Sequence, residues 1–239
     1  MSKKQKKSVF DRETEIQGAK LFGKHVSKEK GRILLIMTLL VCAVPILGGL
    51  RLWDRIPEIY ETGLIGANGE DDSLPRWAIV YAIPALMCLL NFLCHNQLRM
   101  CQEKMVLPKA HFNLVGRWGF PIISVLFAGG LIREAAGLRV MELTFLTPCV
   151  LGLALMILGG HMYDCREDAM LSLNFAFLRG NAALHKELHR FAGLVWMIAG
   201  LAAIALAMVT GTASFLSAAL ILAALAAPWL YGRSRVSAR

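Results

Sequence analysis

The sequence predicts an all-α polytopic membrane protein: a bundle of six transmembrane helices with the N and C termini cytoplasmic. Three observations carry that reading. Six uncharged apolar stretches run Ile33–Leu50, Trp77–Cys94, Trp118–Ile132, Leu143–His161, Phe191–Thr210 and Ala213–Tyr231. Most approach the about 20 residues that a helix needs to cross the ~30 Å hydrocarbon core of a bilayer. The chain is 56% hydrophobic over 239 residues, with mean hydropathy +0.53, and its short connections leave no room for a large soluble domain. Lys and Arg, finally, fall very unevenly between the two sets of connections.

With a cytoplasmic N-terminus, only Arg51, Arg55, Arg76, Arg133 and Arg139 of the 26 Lys and Arg lie outside. That bias obeys the positive-inside rule. A five-span chain would place the Arg-rich C-terminal tail outside, so six spans are kept. The net charge of +9 then reflects cations crowding the inner ends of helices, and direct nucleic-acid binding is not expected.

Three regions follow. Residues 1–32 form a basic cytoplasmic segment. MSKKQKK is expected to be disordered. Ser8–Lys30 carries Val9, Ile16, Ala19, Phe22 and Val26 at helical spacing among cations, which predicts an amphipathic helix on the anionic leaflet. The first apolar run begins too far in for a cleavable signal peptide, so it reads as an uncleaved anchor.

Residues 33–142 hold three spans and an acidic external loop, 51–76. This loop contains Asp54, Glu58, Glu61, Glu70, Asp71 and Asp72, with turn signals at Gly63, Gly66, Asn68 and Gly69. One reading is a solvated loop; the other is a docking surface for a cationic external peptide, formed by Asp54, Arg55, Glu58, Asp71 and Asp72. Trp118–Ile132 is the shortest span. Arg133 follows at once, and the expectation is that it snorkels to the outer interface while the helix runs on to Val140.

Residues 143–239 hold three spans and a cytoplasmic loop, 162–190. Ala169–Leu178 is apolar and aromatic yet too short to cross, so an interfacial or partly re-entrant segment is expected. Asn181 is the expected N-cap of a helix running through His189 into the fifth span. The last two helices carry Gly193, Ala199, Gly200, Ala203 and the alanines from Ala218 to Ala227, which predicts close packing between them. Pro45, Pro84, Pro121, Pro148 and Pro228 fall in five of the six spans and read as kinks.

Little points to chemistry. The cysteines, Cys42, Cys88, Cys94, Cys101, Cys149 and Cys165, avoid the external loops, so they read as packing residues and not as a disulfide framework. His161, His185 and His189 are candidate metal ligands, with Asp164, Cys165 and Asp168 nearby. His185-Lys-Glu-Leu-His189 is not the zinc-protease HExxH, however, and interfacial histidines bonding backbone or head groups are favoured over a metal. No Asp, Glu, Lys or Arg lies inside any apolar stretch and Asn91 is the main polar side chain there, which argues against a proton-coupled pump. No nucleophile–base pair or phosphate loop is visible, so neither an enzyme nor a cofactor is expected.

The stretch from Gly159 to Leu201 resembles the Sdp immunity family (SdpI-like proteins). These are small, typically six-span proteins that protect a bacterium from a secreted toxic peptide. Gly160 matches the glycine of the family's Gly-Asn-Tyr element. His189-Arg190 matches its His-Arg pair, and Gly193 matches the second glycine that follows; Trp196 and Gly200 fall on an often-aromatic position and a glycine. Ser172-Leu-Asn-Phe-Ala-Phe177 replaces the family's Gly-Ile-Arg-Thr-Pro-Trp. Trp53-Asp-Arg-Ile-Pro57 matches an Asp-Arg-Ile-Pro element of an upstream domain often carried by the family. Gly69-Glu-Asp-Asp72 echoes its Gly-x-x-Asp turn.

The resemblance implies a divergent immunity protein of a bacterial inner membrane, with a secreted peptide toxin as partner. In the family, toxin recognition can also be coupled to sequestering a cytoplasmic repressor; that second role stays open here, with Gly160, Lys186, His189, Arg190 and Gly193 as the inner motif. The alternative is a small permease or the transmembrane subunit of an export complex. Self-association into a homo-oligomer stays open.

Overall fold

The computed structural model describes residues 26–65, 71–103, 110–140, 142–163, 165, 172–178, 181–210 and 215–237. Within them six helices are long and apolar enough to cross a membrane: α1 Lys28–Arg51, α2 Ala78–Cys101, α3 Asn113–Ala135, α4 Leu143–Met162, α5 Ala182–Thr210 and α6 Phe215–Val236. The chain is a multi-pass integral membrane protein. The amphipathic helix expected over Ser8–Lys30 lies, up to residue 25, outside the described residues, as do Glu70, Asp164 and Asp168.

Several helices outrun the apolar stretches that announce them. Hydropathy marks the hydrocarbon core, whereas a helix keeps its backbone bonds through the head-group layer, where polar side chains are solvated. α1 therefore starts at Lys28, capped by Ser27, whose Oγ accepts the Lys30 N–H at 3.2 Å. α5 starts at Ala182, and Asn181 is its N-cap as expected, its Oδ1 accepting the Leu184 N–H at 3.0 Å.

The core forms around α1. Leu34, Met37, Val41 and Val44 pack with Trp118 and Val125 of α3, Phe145 and Met156 of α4, and Met197 and Ile204 of α5. α6 is the most lipid-facing helix, leaving Phe215, Leu216, Leu222 and Leu230 exposed. The last two helices pack on each other through Trp196, Ala199 and Ala224, and the α4–α5 pair is closer still. Gly152 and Gly159 of α4 meet Gly200 and Gly193 of α5, and a Cβ on any of the four would fall within 3 Å of the facing backbone. Glycines seven apart lie on one face of each helix, so two backbones can approach along two turns. Among the alanines expected to pack α6, only Ala224 is buried; Trp196 donates its Nε1–H to the Ala224 carbonyl at 2.8 Å.

Two expectations are corrected. α3 does not run on to Val140. It ends at Ala135, and Gly137 turns the chain at φ +72°. Arg133 does not snorkel outward either. It is 4% exposed, lies over the Phe145 ring, donates to the Arg139 carbonyl at 3.2 Å and pairs with Glu142. An internal carboxylate and carbonyl, only six to nine residues away, replace water as its partners.

The acidic loop is no open coil. β1 Ile59–Ile65 and β2 Asp71–Pro75 form an antiparallel hairpin, with Tyr60 opposite Leu74, Glu61 opposite Ser73 and an irregularity between Glu61 and Ile65.

Candidate functional site

Three places gather polar side chains. The first is the hairpin, at the end of the bundle where α1 finishes and α2 begins. Tyr60 and Leu74 face inward and pack with Ile56, Ile79, Val80, Ile132 and Ala135. Alternation along the strand then turns Ile59 and Glu61 outward. Arg76 returns the chain with its N–H on the Glu58 carbonyl at 2.8 Å, and its guanidinium lies 5.1 Å from the Trp53 ring centre. The Tyr60 phenol hydrogen-bonds Glu134 at the end of α3; burial and that carboxylate push its pKa above the ordinary range.

Asp54 and Arg55 sit in a short 3₁₀ turn, Trp53–Arg55, and Glu58 precedes β1. All three side chains are exposed. Asp71 and Asp72 open β2. The fold therefore gathers these five residues on one anchored element, with exposed Ile59 and Trp77 beside them.

The second place is the opposite end, where the inner motif lies. Arg190 of α5 donates to Glu29 of α1 and, at 3.2 Å, to the Tyr163 hydroxyl; Tyr163 in turn donates to Glu29 at 2.8 Å. Arg190 thus ties three segments of the chain together. His189 is 1% exposed. Its Nδ1 lies 2.8 Å from the His185 carbonyl, an acceptor, so Nδ1 carries the proton. Nε2 is then free to accept the Leu173 N–H at 2.9 Å. Ser172 Oγ lies 2.9 Å from His185 Nε2, and the two imidazoles stack at 3.9 Å.

The histidine pair therefore clamps the start of the 172–178 connector, which ends in the 3₁₀ turn Ala176–Leu178 with Leu178 packed on Leu184 and Leu188. Gly160 and Gly193 are packing positions: a Cβ on Gly160 would meet Leu34 at 2.9 Å. Of the five motif residues, only Lys186 and part of Arg190 reach the surface. His161 stands apart beside Cys165, Nε2 to Sγ 3.8 Å. Among the described residues no three His, Cys, Asp or Glu side chains gather as a metal site, and all six cysteines are free thiols.

The third place was missed by sequence reasoning. Thr38 of α1 donates its hydroxyl to the Leu34 carbonyl at 2.8 Å and accepts the Asn91 Nδ2–H at 2.9 Å; His95 Nε2 lies 3.3 Å from the same hydroxyl. All three are buried, and Asn91 Oδ1 has no partner. Arg117 of α3, 8% exposed, stands beside His95. The apolar stretch ends at Cys94, one residue short of His95, and Arg117 directly precedes the stretch that begins at Trp118. Arg117 and Arg133 lie within the ends of α3 and point into protein, so the absence of charge holds for the middle of the spans and not for their whole length.

No family model matches this chain, and no curated protein or solved structure matches it.

Proposed function

We propose that this protein protects a bacterium from an external cationic antimicrobial peptide, acting by binding and not by catalysis. The hairpin is the receiving surface. The supporting observation is an anchored element that presents carboxylates: residues 51–76 hold six acidic and three basic side chains, and Asp54, Glu58 and Glu61 are exposed on it. Carboxylates steer a cationic ligand in, and exposed Ile59 and Trp77 offer apolar contact to an amphipathic one. The charge bias of the loops supports an external hairpin in a cytoplasmic membrane. The likeness of Gly159–Leu201 to the SdpI-like family supports immunity as the outcome. The inner connector, together with the exposed Lys186 in the first turns of α5, is the proposed contact for a cytoplasmic repressor.

Expression in a sensitive bacterium exposed to a panel of cationic antimicrobial peptides tests the reading. Protection against at least one is expected, reduced when Asp54, Glu58, Asp71 and Asp72 are neutralised together. Sensitivity to every peptide overturns immunity; full protection by the neutralised variant overturns the docking role of the hairpin.

A further inference from the structure

Near the middle of α1 and α2 a set of polar contacts between the two helices ends in a pair of thiols. The Asn91 amide of α2 meets the Thr38 hydroxyl of α1 at 2.9 Å. One turn further on, toward the end that carries the hairpin, α1 places Cys42 and α2 places Cys88. The antiparallel packing that joins Asn91 to Thr38 thus brings the two cysteines face to face. The Cys88 thiol donates to the Leu39 carbonyl of α1 at 3.7 Å, and the Cys42 and Cys88 thiols are hydrogen-bonded to each other. Cys88 has a single S–H, directed at Leu39, so the shared hydrogen belongs to Cys42 and the Cys88 sulfur accepts it. Both are free thiols.

We propose that Cys42 and Cys88 are an oxidisable pair, and that a lipid-soluble quinone converts them to a disulfide that pins α1 to α2. Access argues for an oxidant dissolved in the bilayer. Cys42 is fully buried, whereas Cys88 is half-buried, with exposed Ala85 and Phe92 one turn to either side on the lipid-facing surface. Charge argues for a disulfide over a soft metal ion held by two thiolates. Ile33–Leu50 and Trp77–Cys94 contain no charged residue. A monovalent ion on two thiolates leaves a net negative charge in hydrocarbon, whereas a disulfide is neutral. In the reaction two S–H bonds break and one S–S bond forms. The two electrons and two protons released reduce the quinone to its quinol. The sulfurs close from hydrogen-bond contact to about 2.05 Å. Pro45 and Pro84 each remove a backbone hydrogen bond within about a turn of one cysteine, which lets the helices make that adjustment. α1 and α2 are the helices that flank the hairpin, so the bond fixes the two supports of the receiving surface against each other.

The test uses the purified, reduced full-length protein in lipid nanodiscs under nitrogen. Decylubiquinone, whose fully substituted ring does not retain a thioether, and oxidised glutathione, which stays in water, are added separately. Residual thiols are then alkylated and the peptides mapped. Decylubiquinone is expected to yield a peptide linking Cys42 to Cys88, to lower the number of alkylated thiols by two, and to raise the unfolding temperature; dithiothreitol should reverse all three. Cys42→Ala should abolish the link and leave Cys88 open to alkylation. Mapping of the unaltered protein gives the pairing independently of that variant. Equal linkage by oxidised glutathione, or with nothing added, keeps the thiol pair and overturns the quinone as its oxidant. An unchanged unfolding temperature of the linked protein overturns the pinning of α1 to α2. No Cys42–Cys88 peptide after decylubiquinone, or equal linkage among other cysteines, overturns the proposal.

Discussion

Gly193 of α5 lies against Gly159 of α4 so closely that a methyl group on either would sit 2.7–2.8 Å from the other's carbonyl oxygen. Backbone cannot move aside as a side chain can. Gly193→Leu is therefore expected to destabilise the bundle by about 1–3 kcal/mol or to prevent its assembly. Gly119→Ala, whose added Cβ meets only Val115 at 3.6 Å, should be tolerated. Thermal unfolding in detergent separates the two.

Asn91 contributes one hydrogen bond and leaves Oδ1 buried without a partner. Thr38 keeps its bond to the Leu34 carbonyl and its His95 neighbour when Asn91 is removed. Asn91→Leu should thus be neutral or stabilise by about 1 kcal/mol. A loss of stability in the same unfolding assay would show that the amide holds α1 against α2.

The Tyr60–Glu134 bond fastens the hairpin to α3. Tyr60→Phe should cost about 0.5–1 kcal/mol and speed amide exchange in β1 and β2. The pH dependence has a definite sign. Because the folded-state phenol pKa is raised, the contribution is complete below the ordinary phenol value of about 10 and is lost as pH rises through the higher folded value. Alkaline titration of phenolate absorbance, with Tyr60→Phe as the reference, measures it.

His189→Leu removes the acceptor of the Leu173 N–H. A backbone donor left without a partner costs about 1–3 kcal/mol where it is buried, so the connector should detach locally. Faster amide exchange confined to residues 172–178, with the helices unchanged, is the expected pattern.

Orientation is tested by Ser73→Cys, on the exposed face of the hairpin. A membrane-impermeant maleimide should label it in intact cells, whereas Arg233→Cys near the other end of α6 should label only after lysis. The reverse pattern would invert the topology that loop charge predicts.

The helices were legible because a bilayer imposes one demand, about 20 apolar residues, and all of the apolar stretches but Trp118–Ile132 come close to it. The hairpin was less so. Ile59-Tyr-Glu-Thr is a short β-branched and aromatic run, but acids and glycines around it read as a solvated turn. What makes it a strand is tertiary: Tyr60 and Leu74 close over Ile56, Ile79 and Ile132. Arg133 and Arg117 misled for a different reason. A charge count assigns each cation to water, and only packing shows that Arg133 turns back onto Phe145 and Glu142 while Arg117 turns into a cavity. Of the inner motif, His189 was visible as a residue but not as a clamp, since its acceptor nitrogen is defined by a backbone N–H sixteen positions away.

The contact between Glu29 and Arg190 joins positions 161 residues apart. At ribosomal speeds of about 5–20 residues per second, roughly ten to thirty seconds separate the synthesis of the two. Over that interval α1 sits in the membrane without the Met197 and Ile204 surface it packs against. A nascent chain halted before α5 has its central helix but not its closing partner, and such stalled chains should be the first taken by membrane quality-control proteases.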